Sequence, residues 1–162
     1  MDVQRGPCVV VGIDGALPGL AALRAAVTEA VRRDLPLYAV RVEALWPDSK
    51  IGQIDAVFAE ALGGVPVGLD VHRALLPPPV AATLVDCADQ PGDLLVIGTS
   101  GTGWWHTLWS GSIAHTCVRK ARCPLLIVPA PPLARAVPQH RWIRTPHDVW
   151  RRFEQETTSA RG

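Results

Sequence analysis

Between residue 8 and about residue 129, short apolar runs rich in Val, Ile and Leu alternate with segments of helical periodicity, and no other feature constrains the fold as much. The first run, CVVVGID (8–14), offers water no polar side and therefore suits a strand buried on both faces. Strands of that kind, each followed by a helix, imply an α/β domain built on a parallel sheet. Pro18 then opens LPGLAALRAAVTEAVRRD (17–34), an Ala-rich helix whose last turn carries basic residues, complementing the negative end of the helix dipole. LPLYAVRVEAL (35–45) reads as the second strand, and SKIGQIDAVFAEAL (49–62) as a short second helix ended by Gly63 and Gly64. VPVGLDVHRALL (65–76) alternates well enough for a third strand despite Gly68. Pro77, Pro78 and Pro79 lead into a helix, VAATLVDCADQ (80–90), closed by Pro91 and Gly92. DLLVIGT (93–99) is the fourth strand, GSIAHTCVRKA (111–121) a helix starting near Ser112, and CPLLIVP (123–129) the fifth strand. The expected fold is a single, doubly wound, five-stranded parallel sheet of order 3-2-1-4-5 with helices on both faces.

A chain of 162 residues makes one domain with a real core. Hydrophobic content of 48%, 19% charged residues and a net charge of +1 fit a soluble globular protein and disfavour nucleic acid as a partner recruited by bulk charge. The apolar run before Asp14 is too short for a secretory signal or a membrane span, so a cytoplasmic location away from membranes is expected. Cys8, Cys87, Cys117 and Cys123 show no paired-ligand spacing; reduced core thiols are expected, with no metal site.

Beyond Pro129 the composition changes, and residues 130–162 read as a Pro/Arg-rich extension of the 1–129 domain. Six of the chain's arginines lie there against three acidic residues, leaving ten basic and twelve acidic residues in the body. Thr145-Pro146-His147-Asp148 has the order of an N-cap, a proline at the first helical position and an acid in the first turn, which predicts a short amphipathic helix over 146–156. Trp142, Trp150 and Phe153 are expected to dock on the domain or on a second copy, with membrane or nucleic-acid contact as the lesser alternatives.

Ligands of open parallel sheets bind beyond the carboxyl ends of the strands where the strand order reverses, which draws attention to Asp14-Gly15 and to GTSGTGWWHTLWSGS (98–112). Gly98 and Gly101 allow a sharp turn off the strand with exposed amides, while Gly111-Ser112 falls where a helix begins and free N–H groups suit a phosphate. Ser112 equally serves as that helix's N-cap, and Asp14 as a cap of the loop into the first helix. The P-loop pattern is absent. Gly101-Thr102-Gly103 meets His106 where the dinucleotide fingerprint needs glycine, and Gly12-Ile13-Asp14-Gly15 does not supply it either.

The spacing Gly98-x2-Gly101-x9-Gly111-Ser112 fits the G-2x-G-9x-G-[ST] pattern of the ATP-binding branch of the universal stress protein family. VVVGIDG at the start, PVAATLVDCADQPGDLLVIGTSG before the motif and ARCPLLIVP after it extend the likeness over residues 8–129. The chain therefore resembles that family, and the resemblance implies an adenine-nucleotide alpha-hydrolase-like fold. It also implies ATP, ADP or AMP as ligand, with or without Mg2+, and a homodimer paired through the edge strand 123–129. By position it assigns Gly12, Asp14 and the main chain near Val42 to the nucleotide, and Gly98, Gly101, Gly111 and Ser112 to its phosphates and ribose. An unpaired edge this apolar would otherwise invite aggregation.

Departures from the pattern are specific. Ala16 stands where many members have serine, Ser100 where Arg or His is common, and WWHTLW replaces small aliphatics. No Lys or Arg occurs between Gly98 and Val118, so a triphosphate would depend on backbone amides, Ser112, His106 or His115 and a divalent cation. The stretch from Ala44 to Val65 is short for the family and would leave the adenine side more open. Trp104, Trp105 and Trp109 could cover the core, meet a dimer mate or clamp a base, in that order. No nucleophile, base and orienting group stand together, so no catalytic residues are assigned and any ATP hydrolysis should be slow. The expected function is a dimeric, nucleotide-binding stress sensor or effector. The alternatives are a nucleotide-independent partner-binding protein of the same fold and, third, a nucleotidyl-transferring or nucleotide-hydrolysing enzyme.

Overall fold

Val9, Val11 and Ile13 project to one face of a parallel sheet and Cys8 and Val10 to the other, and all five are buried. The first apolar run is thus a strand with no solvent side, and it divides the interior into two cores. The computed structural model describes residues 5–42, 52–99 and 113–131. The elements follow as β1 (Val9–Gly12), α1 (Leu17–Arg33), β2 (Leu37–Val42), α2 (Gly52–Leu62), β3 (Val71–Leu76), α3 (Val80–Cys87), β4 (Leu94–Thr99), α4 (Ile113–Lys120) and β5 (Leu125–Pro129). All strand pairings are parallel, as the sequence rhythm predicts, and the order is β3-β2-β1-β4-β5, the expected one.

One core lies under α1 and α2. Leu20, Ala22, Leu23, Ala26 and Ala30 recur at helical spacing along α1, and the alanines let the helix lie close against Val9, Val11, Leu94 and Val96. Ile54, Val57, Phe58 and Ala61 give α2 the same role. The other core joins Val10, Val40, Leu95 and Ile97 to Leu84 of α3 and Cys117 of α4.

Several boundaries differ from the expectation. The third strand begins at Val71 rather than at residue 65: Gly68 sits at φ +84°, a left-handed conformation that turns the chain before the strand can start. The helix expected over 80–90 stops at Cys87, and the terminal strands are trimmed to Val9–Gly12 and Leu125–Pro129. Residues 43–51, where the second strand was expected to end and the second helix to begin, and the tail with its helix at 146–156, lie outside the described residues.

At the amino-terminal end of the sheet, Asp93 is wholly buried just before β4 and takes a two-pronged contact from Arg5, Nη1 to Oδ1 at 3.0 Å and Nη2 to Oδ2 at 2.8 Å. The main-chain N–H groups of Cys8 and Gln90 donate to the same carboxylate at 2.9 and 3.1 Å. Burial alone would raise this carboxyl, but Arg5 and the two N–H groups hold it below the ordinary aspartate range. The side chain that clamps β1 to β4 therefore stands at the pole opposite the strands' carboxyl ends.

All four cysteines are free and pack in or against the core under α3 and α4. Burial, reinforced by the Asp93 charge, pushes the Cys8 thiol up to about 12, and burial pushes Cys117 up to about 11. Both stay protonated near neutrality. In the folded chain at pH 8, Cys8 and Cys117 should react with iodoacetamide at least about a hundredfold more slowly than after unfolding, because reaction requires the thiolate. Peptide-resolved labelling with and without urea checks this, and equal rates would contradict the buried assignment.

Candidate functional site

The sheet order brings the carboxyl ends of β1 and β4 side by side, and the chain leaves β1 toward β2 but leaves β4 toward β5. Helices that depart to opposite faces at such a reversal leave a crevice between them. Here it is a cleft of about 240 Å³. Val40 and Val42 of β2 and Ile97 of β4 form its apolar floor, with Leu84 and Val80 of α3 and Ile113 of α4 on one wall. The opposite wall is the turn from β1 into α1, with Ile13, Asp14, Pro18 and Gly19.

Local sequence explains that turn. Ile13 extends the ladder by donating its N–H to the Val40 carbonyl at 3.0 Å, and Gly15 then takes φ +78°, which a side chain would resist. Asp14 is exposed at the rim, and its Oδ1 accepts a 2.9 Å hydrogen bond from the Ala16 N–H. The carboxylate thus organises the loop rather than bonding into the helix, whose N-cap is Ala16 without a side-chain bond. A methyl at Gly19 would strike Asp14 Oδ1, so the glycine is what lets the carboxylate lie over the first turn of α1.

Of the residues singled out from sequence, Gly12, Asp14, Val42 and Gly98 all line this cleft. Gly101, Gly111 and Ser112 lie outside the described residues, as do Ser100, His106, Trp104, Trp105 and Trp109. His115 lies on α4 and is already engaged by an interaction. Gly98 has a different local reason from the turn expected of it. It lies inside β4, paired with Val128, where an added methyl would collide with the main chain of Pro18. Sequence reading did not find Pro18, Gly19, Val80, Leu84 or Ile113, although Gly19 carried a signal: a glycine in the first turn of an Ala-rich helix marks close approach.

Charge in the cleft is sparse. Asp14 is the one ionisable group among its described lining residues. The helices α1, with Pro18-Gly19 in its first turn, and α3, from Val80, begin there, and Ile113, the first described residue of α4, also lines it, so the positive ends of α1 and α3 lie at the opening. Such a site can hold a flat apolar group against its floor, accept hydroxyl hydrogens on a carboxylate and favour an anion.

A model of the universal stress protein family matches residues 8–129. Universal stress protein Rv2005c of Mycobacterium tuberculosis strain H37Rv is 28% identical over 151 residues, covering 82% of this chain and 51% of that protein. The chain spans about half the length of the curated relatives it matches in this way. Among solved structures, a universal stress protein in complex with cAMP is 26% identical with a TM-score of 0.61, covering 77% of this chain and 98% of that one. UspA from Lactobacillus plantarum, 21% identical with a TM-score of 0.56 over 77% of this chain and 99% of its own, shares the fold.

Proposed function

This chain belongs to the universal stress protein family, and from that premise we propose that it binds an adenine nucleotide in the cleft between β1 and β4 and acts as a dimeric stress sensor or effector. ATP, ADP and AMP, with or without Mg2+, are the ligands the glycine pattern admits. The cleft carries the reading. Its floor of Val40, Val42 and Ile97 suits the face of a purine, and Asp14, with Oδ1 held by Ala16, has Oδ2 available to sugar hydroxyls. A volume of about 240 Å³ lies below the roughly 300–1,000 Å³ of complete ligand sites, so it takes base and sugar. By their place in the glycine pattern, Gly101, Gly111 and Ser112 are the residues we assign to the phosphates. The 26%-identical relative that carries cAMP supports the ligand class.

Dimerisation fits the edge position of β5, which among the described residues pairs only with β4. The purified full chain is denatured and its released small molecules identified, and nucleotides are then titrated into wild type and Asp14→Ala. An adenine nucleotide should bind, and Asp14→Ala should weaken it about tenfold or more, the cost of losing hydrogen bonds to a charged acceptor. No binding at millimolar concentration, or a variant equal to wild type, would overturn the proposal.

A further inference from the structure

A parallel sheet ordinarily has both faces covered, and β3 departs from that rule. On the side that carries α3 and α4 it presents His72, Ala74 and Leu76, of which His72 is exposed and the other two only half-buried. The reason is placement: α3 lies over β1 and β2, and α4 packs on α3 and β5. Tyr38 of β2 and His72 are partners across the strands, and their rings stack with 4.4 Å between centroids and 20° between planes. Rings stacked along the pairing direction stand upright on the sheet. The outer face of His72 is therefore turned to the sheet edge, since β3 has no second neighbour among the described strands. Two exposed carboxylates border this surface. Asp70 Oδ2 lies 3.1 Å from His72 Nε2, and Asp89 meets Arg5, whose guanidinium sits 5.6 Å from the centroid of the Tyr38 ring. Arg5 also serves the buried Asp93, so one cation faces two carboxylates there and Asp70 adds a third. The surface is apolar, aromatic and negative in balance.

We propose that residues 141–153 of the same chain cover it. This segment, RWIRTPHDVWRRF, sets Trp142, Trp150 and Phe153 among four arginines and one aspartate. Its rings can stack and pack on His72, Tyr38 and Ala74, and its arginines can pair with Asp70 and Asp89. Among the segments outside the described residues, only the one beyond Pro131 has an excess of basic side chains. Reach is ample. From β5 to β3 is four strand spacings, about 19 Å, and a strand's length adds about 20 Å. Fully extended, the chain between Pro131 and Trp150 spans up to about 60 Å.

The full chain is treated with diethyl pyrocarbonate near neutral pH, and modification of His72 is followed by peptide-resolved mass spectrometry. His72 should react about fivefold or more slowly in wild type than in the variant Trp142→Ala/Trp150→Ala/Phe153→Ala, a protection that needs only a small part of a domain's stability. Arg151→Gln/Arg152→Gln should raise the reactivity of His72 by about twofold or more, the scale of exposed ion pairs. From the other side, Ala74→Arg sets a like charge on the face and should expose His147 by about twofold or more. None of these measurements requires a nucleotide. A His72 that either set of substitutions leaves unchanged overturns the proposal, whether the face is then bare or covered by a second copy of the chain. So does a His147 indifferent to Ala74→Arg.

Discussion

Arg5→Met should lower folding stability by about 3 kcal/mol or more at neutral pH, because it strands the Asp93 carboxylate in the interior with only two main-chain donors. The expectation rests on burial. Asp93 has no exposed surface, and Arg5 supplies both arms of its fork to it. The pairs of Glu29 with Arg32 and Arg33 make the contrast: Arg32 first, then Arg33, hold that carboxyl down to about 2, yet the group sits on the outer surface of α1, where solvent screens the pair and little stability follows. A carboxyl depressed in the folded state contributes stability above its unfolded pKa, near 3.8 for Asp93, and loses it as pH falls through the lower folded value. The gap between wild type and Arg5→Met should therefore be largest near neutrality and close as the pH drops below about 4. In urea the midpoint should fall by roughly 1–3 M with an unchanged slope. A loss under about 1 kcal/mol would place the pair with surface ion pairs and refute the clamp.

The alternation of apolar runs with helical periodicity was enough to read a parallel sheet covered by helices, because each β1 and β4 residue is forced to one of two buried faces; the strand order agrees with the one supposed, but no periodicity along a strand names its neighbours. Boundaries were harder. The stretch from Val65 to Asp70 alternates like a strand, and only the backbone shows Gly68 in a left-handed turn that ends the resemblance. Asp14 was legible because a carboxylate at the end of a buried strand has few purposes. Leu84 was not, since an apolar residue one turn along a helix looks the same whether it meets the core or a cleft. Arg5 carried no signal at all: its partner lies 88 positions away, and only the β1–β4 pairing makes them neighbours.

From sequence alone Gly98 suits a sharp turn off the strand, but its environment inside β4 makes a stronger prediction. Gly98→Ala should cost about 3 kcal/mol and weaken nucleotide binding more than tenfold. A β-carbon there would stand 2.5 Å from the Pro18 carbonyl carbon and closer still to its oxygen, and neither atom can move without shifting the start of α1. That start carries Pro18 and Gly19, one wall of the cleft, so the same displacement that strains the fold also separates Asp14 from the floor at Ile97. Gly12→Ala is the matched control for stability alone, since Gly12 and Leu84 line the cleft themselves. Its β-carbon would meet Leu84 Cδ1 at 2.8 Å, the tip of a side chain that can rotate away, and about 1 kcal/mol is the expected cost. Urea unfolding of both variants and titration of Gly98→Ala decide the matter. If Gly98→Ala is as mild in urea as Gly12→Ala and binds nucleotide like wild type, the close approach of β4 to α1 does not shape the site; if it loses stability and affinity together, the wall of the cleft is set by the contact of Gly98 with Pro18.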